Sequence, residues 1–281
     1  MRIITDSAAD FTTEELEHYG VRCVRTEVML NGRAYSVGED MTEEEFWQRV
    51  LEGATVKTSQ PSPEAFLKDF EAAKEVGEDV LCINISSALS GTIQSARIAA
   101  GQAEYDRIHI VDSMTGAAAQ KLMVIYACRL RDEGRLLVED IAQKLEAIRQ
   151  RIRLYASLDT LECLGSSGRI PKAVASIGSL ARLKPLLTVS REGKIVLCGK
   201  AFGRPRAIDA LAEKIVSLRI DEAFPVIPLF SYDQKNCGAL VQKLCALGVK
   251  VNEQLLSAIG PAIAGHIGPN AYGVTFVEAE A

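Results

Sequence analysis

Short apolar, β-branched runs alternate with segments in which apolar residues recur every three or four positions over the first 112 residues. Arg2 to Thr5, Val21 to Leu30, Val80 to Ile85 and Ile108 to Val111 read as strands. Thr12 to Tyr19, Thr42 to Leu51, Pro63 to Val76 and Thr92 to Ala103 read as helices. This succession is the signature of a mainly parallel sheet covered by helices. The third helix is the best marked: Ser62 can cap it, Pro63 suits its first position, and Phe66, Leu67 and Phe70 share one face. Asn31-Gly32, between two short apolar runs, signals a hairpin.

The pattern then changes. Two long helical stretches, Gly116 to Arg131 and Val138 to Arg151, lead into a strand-rich section. Its strands are expected at Leu154 to Leu158, Pro185 to Val189, Lys194 to Cys198, Val226 to Leu229, Val249 to Glu253 and Tyr272 to Val277. Glu192-Gly193 turns the second into the third, and Arg206 to Leu218 and Asn236 to Leu247 fit helices. The change of pattern divides the chain into two α/β domains, 1–150 and 151–281. No Pro/Gly/Ser-rich linker separates them, so they are expected to pack closely around a cleft.

Composition narrows the class. The 281 residues are 48% hydrophobic and 25% charged, values of an ordinary globular protein rather than a disordered or fibrous one. Lys and Arg total 32 against 37 Asp and Glu, and no basic run occurs, which argues against nucleic acid as a partner. No apolar stretch approaches the roughly 20 residues that span a bilayer, so an integral membrane protein is not expected. The start, Met1-Arg2-Ile3-Ile4-Thr5-Asp6-Ser7, turns polar too soon for a signal peptide, and a cytoplasmic location is expected. The seven cysteines are scattered without a C-x-x-C pair and read as reduced core residues, not as zinc ligands.

Reactive chemistry leaves a thin trail. The chain has no phosphate loop, no dinucleotide fingerprint, no Gly-x-Ser-x-Gly elbow and no His-Glu-x-x-His. Three histidines leave no material for a multi-histidine metal centre. His18 on a charged helix and His109 inside a strand read as structural, whereas glycines on both sides of His266 bring backbone close to whatever it faces. Hydroxyls collect in Lys57-Thr58-Ser59-Gln60-Pro61-Ser62 and in Asn84-Ile85-Ser86-Ser87-Ala88-Leu89-Ser90-Gly91-Thr92. Both strings lie where strands end and helices begin, a place that favours anions, although Ser and Thr also serve there as caps and turn formers. Arg169, in Gly165-Ser166-Ser167-Gly168-Arg169-Ile170, adds a planar fork of donors suited to carboxylate or phosphate. Lys200, Arg204 and Arg206 form a modest basic cluster, read either as a solvated helix start or as part of a face for an acidic partner.

Taken in order, Ile4-Thr5-Asp6-Ser7-Ala8-Ala9-Asp10, Thr58-Ser59-Gln60-Pro61-Ser62, Ile85 to Thr92, Gly168-Arg169-Ile170, Lys184-Pro185 and Gly265-His266-Ile267-Gly268-Pro269 resemble the DegV family over essentially the whole chain. The resemblance implies a DegV-like architecture: an N-terminal mainly parallel α/β/α domain, a C-terminal α/β domain with a mixed sheet, and a lipid site between them. It implies a carrier without catalytic residues, metal or cofactor, whose ligand is a long-chain fatty acid. Its partner would be a fatty acid kinase, to which the carboxyl group is presented for acyl-phosphate formation. Carried over residue by residue, Thr58, Ser59, Ser90 and His266 would hold the carboxylate, with Arg169 nearby binding directly or completing the network. Two departures stand out. The family often has Gly-Gly-Arg where Ser167-Gly168-Arg169 stands, and threonines around the histidine where this chain has Gly265 and Ile267.

Two other readings predict different sites. The family fold is similar to the substrate-binding subunit of dihydroxyacetone kinases, in which His266 would engage a ketone within a short pocket polar throughout. A Ser90, His266 and Asp6 hydrolase has the residues but lacks a nucleophile elbow.

Overall fold

The computed structural model describes residues 1–36, 40–175 and 182–280. In chain order the first half runs β1 (Arg2–Asp6), α1 (Thr13–Tyr19), β2 (Val21–Val24), β3 (Glu27–Leu30), β4 (Arg33–Tyr35), α2 (Glu43–Leu51), β5 (Val56–Ser59), α3 (Pro63–Val76), β6 (Val80–Asn84), α4 (Thr92–Ala103), β7 (Ile108–Asp112), α5 (Ala117–Glu133) and α6 (Val138–Ile148). The second half runs β8 (Ile152–Ser157), α7 (Glu162–Ser167), α8 (Lys172–Ala175), β9 (Leu183–Val189), β10 (Ile195–Phe202), α9 (Arg204–Val216), β11 (Ile227–Phe230), α10 (Lys235–Ala246), β12 (Ser257–Ala258), α11 (Pro261–Ile267) and β13 (Tyr272–Val277).

The described residues form three sheets. A parallel sheet has the order β2-β1-β6-β7, a mixed sheet has the order β10-β9-β8-β13-β11-β12, and β4-β3-β5 form a small antiparallel sheet. Every residue of β6 is buried, as an inner parallel strand covered on both faces requires. Helices α1 and α2 open on capping boxes, Thr12 with Glu15 and Thr42 with Glu45, which satisfy N–H groups that a helix start leaves unpaired. Asn31 and Gly32 both take positive φ, 51° and 85°, as the tight two-residue loop between β3 and β4 demands.

Helix α5 is the hub. It touches β1 and β6 on one side and β8, β11 and β13 on the other, which is why Leu122, Met123, Val124 and Ala127 are all buried around its circumference. The largest apolar core accordingly joins Ile3, Leu81 and Ile83 of the parallel sheet to Ile227, Leu229 and Val277 of the mixed one.

Two expectations need correction, and two elements were not foreseen. The run Val21 to Leu30 is two strands in different sheets, because Thr26 donates its N–H to Ser7 Oγ at 3.0 Å instead of continuing the ladder. Strand β5, which is not among the expected strands, ends on Thr58 and Ser59, which pair with Val28 and Glu27. Val249 to Glu253 makes only a single bridge, Val251 to Val226. There the Asn252 side chain accepts from Gln254 N at 3.1 Å and starts a short 3-10 turn. Finally, the segment around His266, marked in the sequence only by its flanking glycines, is helix α11 with Pro261 in its first turn.

Candidate functional site: a cavity with one polar end

A cavity of about 680 Å³ lies between the parallel and mixed sheets and is lined by Thr58, Ser59, Ser90, Arg169 and His266 together. They arrive from four parts of the chain. β5 ends on Thr58 and Ser59, the β6–α4 loop brings Ser90, the turn after α7 brings Arg169, and the last turn of α11 brings His266.

One contact joins two of these groups directly, and the others are held by their own neighbours. The Thr58 hydroxyl and His266 Nε2 are 2.8 Å apart, across 208 positions of sequence. Gln60 also lines the cavity; its amide lies so close over Gly91 that a Cβ there would sit 1.8 Å from Gln60 Oε1. Gln60 Nε2 donates to Ser95 Oγ at 3.0 Å, fixing the strand-end segment against the start of α4. Ser90 Oγ accepts from Thr92 N at 3.3 Å and is 2.8 Å from Thr92 Oγ1. Arg169 donates from Nη1 to the Ser167 carbonyl at 2.6 Å and makes no ion pair with a carboxylate among the described residues.

The electrostatics suit an anion. Burial, reinforced by the Arg169 guanidinium, lowers the His266 pKa to about 4, so the ring is neutral at neutral pH and its Nδ1 is buried without a partner. Arg169 is therefore the uncompensated positive charge of this patch. Ala117, at the start of α5 and also on the wall, holds φ +52°, a left-handed conformation that costs a non-glycine residue energy and is typical of functional sites.

The opposite wall is apolar. Leu154, Ala156 and Leu158 with Leu187 and Leu229 face the cavity from the mixed sheet and its edge, joined by Ile263 and Ile267 of α11. Sequence reasoning missed Gln60, Thr92 and Thr26 as lining residues. Gln60 lay inside a string already singled out, but nothing local marked Thr26.

A hydrolytic triad is not assembled. Asp6 is fully committed elsewhere, accepting from Ala8 N at 2.9 Å, Ile85 N at 2.8 Å, Asn84 Nδ2 at 3.2 Å and Gln120 Nε2 at 3.3 Å. The basic cluster is exposed at the start of α9 as read, but Arg204 is paired with Asp159, which also accepts from Lys184 and Asn270. Among the described residues no group of three or more His, Cys, Asp or Glu is placed to hold a metal ion, and no helix is long and apolar enough to cross a membrane.

An α/β protein with a cavity between its two large sheets, lined by apolar side chains and by a set of hydroxyls, is the class this geometry defines. A family model described as "Uncharacterised protein, DegV family" matches residues 1–279, and the chain belongs to the DegV family. A DegV domain-containing protein of Caldanaerobacter subterraneus subsp. tengcongensis is 30% identical over 276 residues, covering 98% of each chain. A fatty-acid-binding DegV family protein from Thermus thermophilus is 35% identical over 99% of this chain and 100% of its own, with a TM-score of 0.87. A stearic-acid-binding protein from Eubacterium ventriosum matches at 28% identity and the same TM-score, over 99% and 98% of the two chains.

Proposed function

We propose that this protein is a cytoplasmic carrier that holds one long-chain fatty acid in the cavity between its two lobes, 1–150 and 151–281. The observation that carries the reading is the Arg169 guanidinium beside neutral His266 and the hydroxyls of Thr58, Ser59 and Ser90, in a cavity whose lining is mostly apolar. The tail supplies the grip, at roughly 0.8 kcal/mol per buried methylene before ordering costs. The head needs donors, because burying a bare carboxylate costs several kcal/mol and drives it to protonate.

His266 serves that need through Thr58. With Nε2–H donating to the Thr58 oxygen, the threonine's own proton is free for the carboxylate, and Ser59, Ser90 and Arg169 complete the head-group site. The chain itself performs no catalysis. It offers one carboxylate oxygen to a fatty acid kinase, and that oxygen attacks the γ-phosphorus of ATP, releasing ADP and leaving an acyl phosphate. A triose site of the dihydroxyacetone-kinase kind would be polar throughout, contrary to the apolar wall.

Native and denaturing mass spectrometry of purified protein test the reading. One acid of roughly 14 to 18 carbons per chain is expected, either co-purified or taken up after delipidation. Failure to recover one, and failure to load one, overturns it.

A further inference from the structure

Helix α11 is short, and its two ends are glycines, Gly260 and Gly268, so it carries no capping side chain of its own. Seven residues are too few for a helix to persist unaided in water. Its position has to be imposed by neighbours, and three contacts impose it. At the far end, His266 meets Thr58. In the middle, Gly265 presses on β5 so closely that a Cβ would fall 2.4 Å from Val56 Cγ1. At the start, Asp10 Oδ1 accepts the Gly260 N–H at 2.9 Å, and a Cβ on Gly260 would sit 3.1 Å from that oxygen.

Asp10 is itself tightly held. It takes φ +55° at the end of the 3-10 turn that Asp6 opens, donates its N–H to the Ser7 carbonyl at 3.3 Å, and is 8% exposed. Its other oxygen, Oδ2, is buried without a partner. A carboxyl kept in so costly a setting, in a left-handed conformation, accepts one hydrogen bond from another element among the described residues, and that bond ends on the helix carrying His266.

We propose that Asp10 is a positioning residue for the head-group site: it fixes the start of α11 and thereby sets the His266 ring against Thr58. The step from Gly260 to His266 is six residues, about 9 Å along the helix axis, so a small tilt at the start is delivered to the ring. A displacement of about 1 Å at a reacting group can cost roughly a hundredfold in rate. The inference rests on the fatty-acid reading for its consequence, but not for its geometry.

The test uses delipidated full-length protein with ¹⁵N-labelled histidine, the His266 signals being assigned from His266→Ala. Asp10→Ala removes the acceptor, while Asp10→Asn keeps a side-chain oxygen for the Gly260 N–H. Asp10→Ala is expected to shift and broaden the His266 ring nitrogens while leaving those of His18 and His109 in place, and Asp10→Asn is expected to restore them. Gly260→Ala, which crowds the same contact without removing it, should produce a smaller shift of the same ring, and supplies the readout if Asp10→Ala fails to fold. With palmitate labelled at its carboxyl carbon as the probe, Asp10→Ala should release the acid about tenfold faster and move the carboxyl resonance. His266 signals unchanged in folded Asp10→Ala, or equally disturbed in Asp10→Asn, overturn the proposal. Palmitate that fails to bind wild-type protein defeats the carrier reading alone and leaves the coupling from Asp10 to His266 to be judged by the ligand-free spectra.

Discussion

Leu154, Ala156 and Leu187 reach the cavity from the mixed sheet, whereas Thr58, Ser59 and Ser90 reach it from strand ends and loops of the first half. The first wall is built on regular strands and is mostly methyl and methylene surface, with Thr188 of β9 as its hydroxyl. The second is built on segments that need caps, tight glycines and long-range hydrogen bonds to hold their shape. The difference separates two tasks that a lipid site has to perform. Non-directional burial holds the chain, while directional donors fix where the carboxylate stands.

Substitutions that strike one wall only should separate those tasks. The largest effect is expected on the polar side. Ser90→Ala or His266→Ala should lower acyl phosphate formation by a partner kinase by roughly a hundredfold, with much smaller losses of bound acid. Equal losses in both assays would mean that these residues act through stability. On the apolar side, Leu187→Ala should weaken retention about tenfold, some 1.4 kcal/mol, without changing turnover per loaded carrier, as measured by competition with a fluorescent fatty acid.

A smaller effect is expected where the β9–β10 hairpin meets the first half. Gly193 holds φ +74° and its carbonyl accepts from buried Ser86 at 2.9 Å; a Cβ would lie 2.1 Å from Ser86 Oγ. Gly193→Ala should cost about 1 kcal/mol or more in urea unfolding, and that cost should shrink in a Ser86→Gly background. A further check is a pH dependence. The unfolded chain protonates this histidine near 6.5, but the folded one keeps His266 neutral down to about 4. Over that interval the unfolded state binds more protons, so His266 makes stability fall as pH drops from 6.5 to 4. His266→Gln should flatten that limb of the stability profile, and an unchanged slope would show that the ring is not buried neutral.

Elements with local punctuation were legible in the chain. The parallel strands, the helices opened by Thr12, Thr42 and Ser62, and the Asn31-Gly32 hairpin all follow from residues a few positions apart. Illegible features depend on distant partners. Nothing near Thr26 announces that Ser7 will divert it, and the glycine-flanked sequence of α11 hides a helix whose anchors lie in β5 and at Asp10. The five residues lining the polar end were visible as strings of hydroxyls, one arginine and one histidine. That Thr58 would stand beside His266 was not readable from spacing, and the family resemblance supplied their grouping.

Helix α5 has a practical consequence for anyone dissecting this molecule. Because it touches strands of both large sheets, a cut near residue 150 would leave the first fragment with the α5 side that meets β8, β11 and β13 laid bare to water, and the remainder with those strands stripped of their cover. The two pieces should aggregate when expressed apart and recover a soluble form only when produced together.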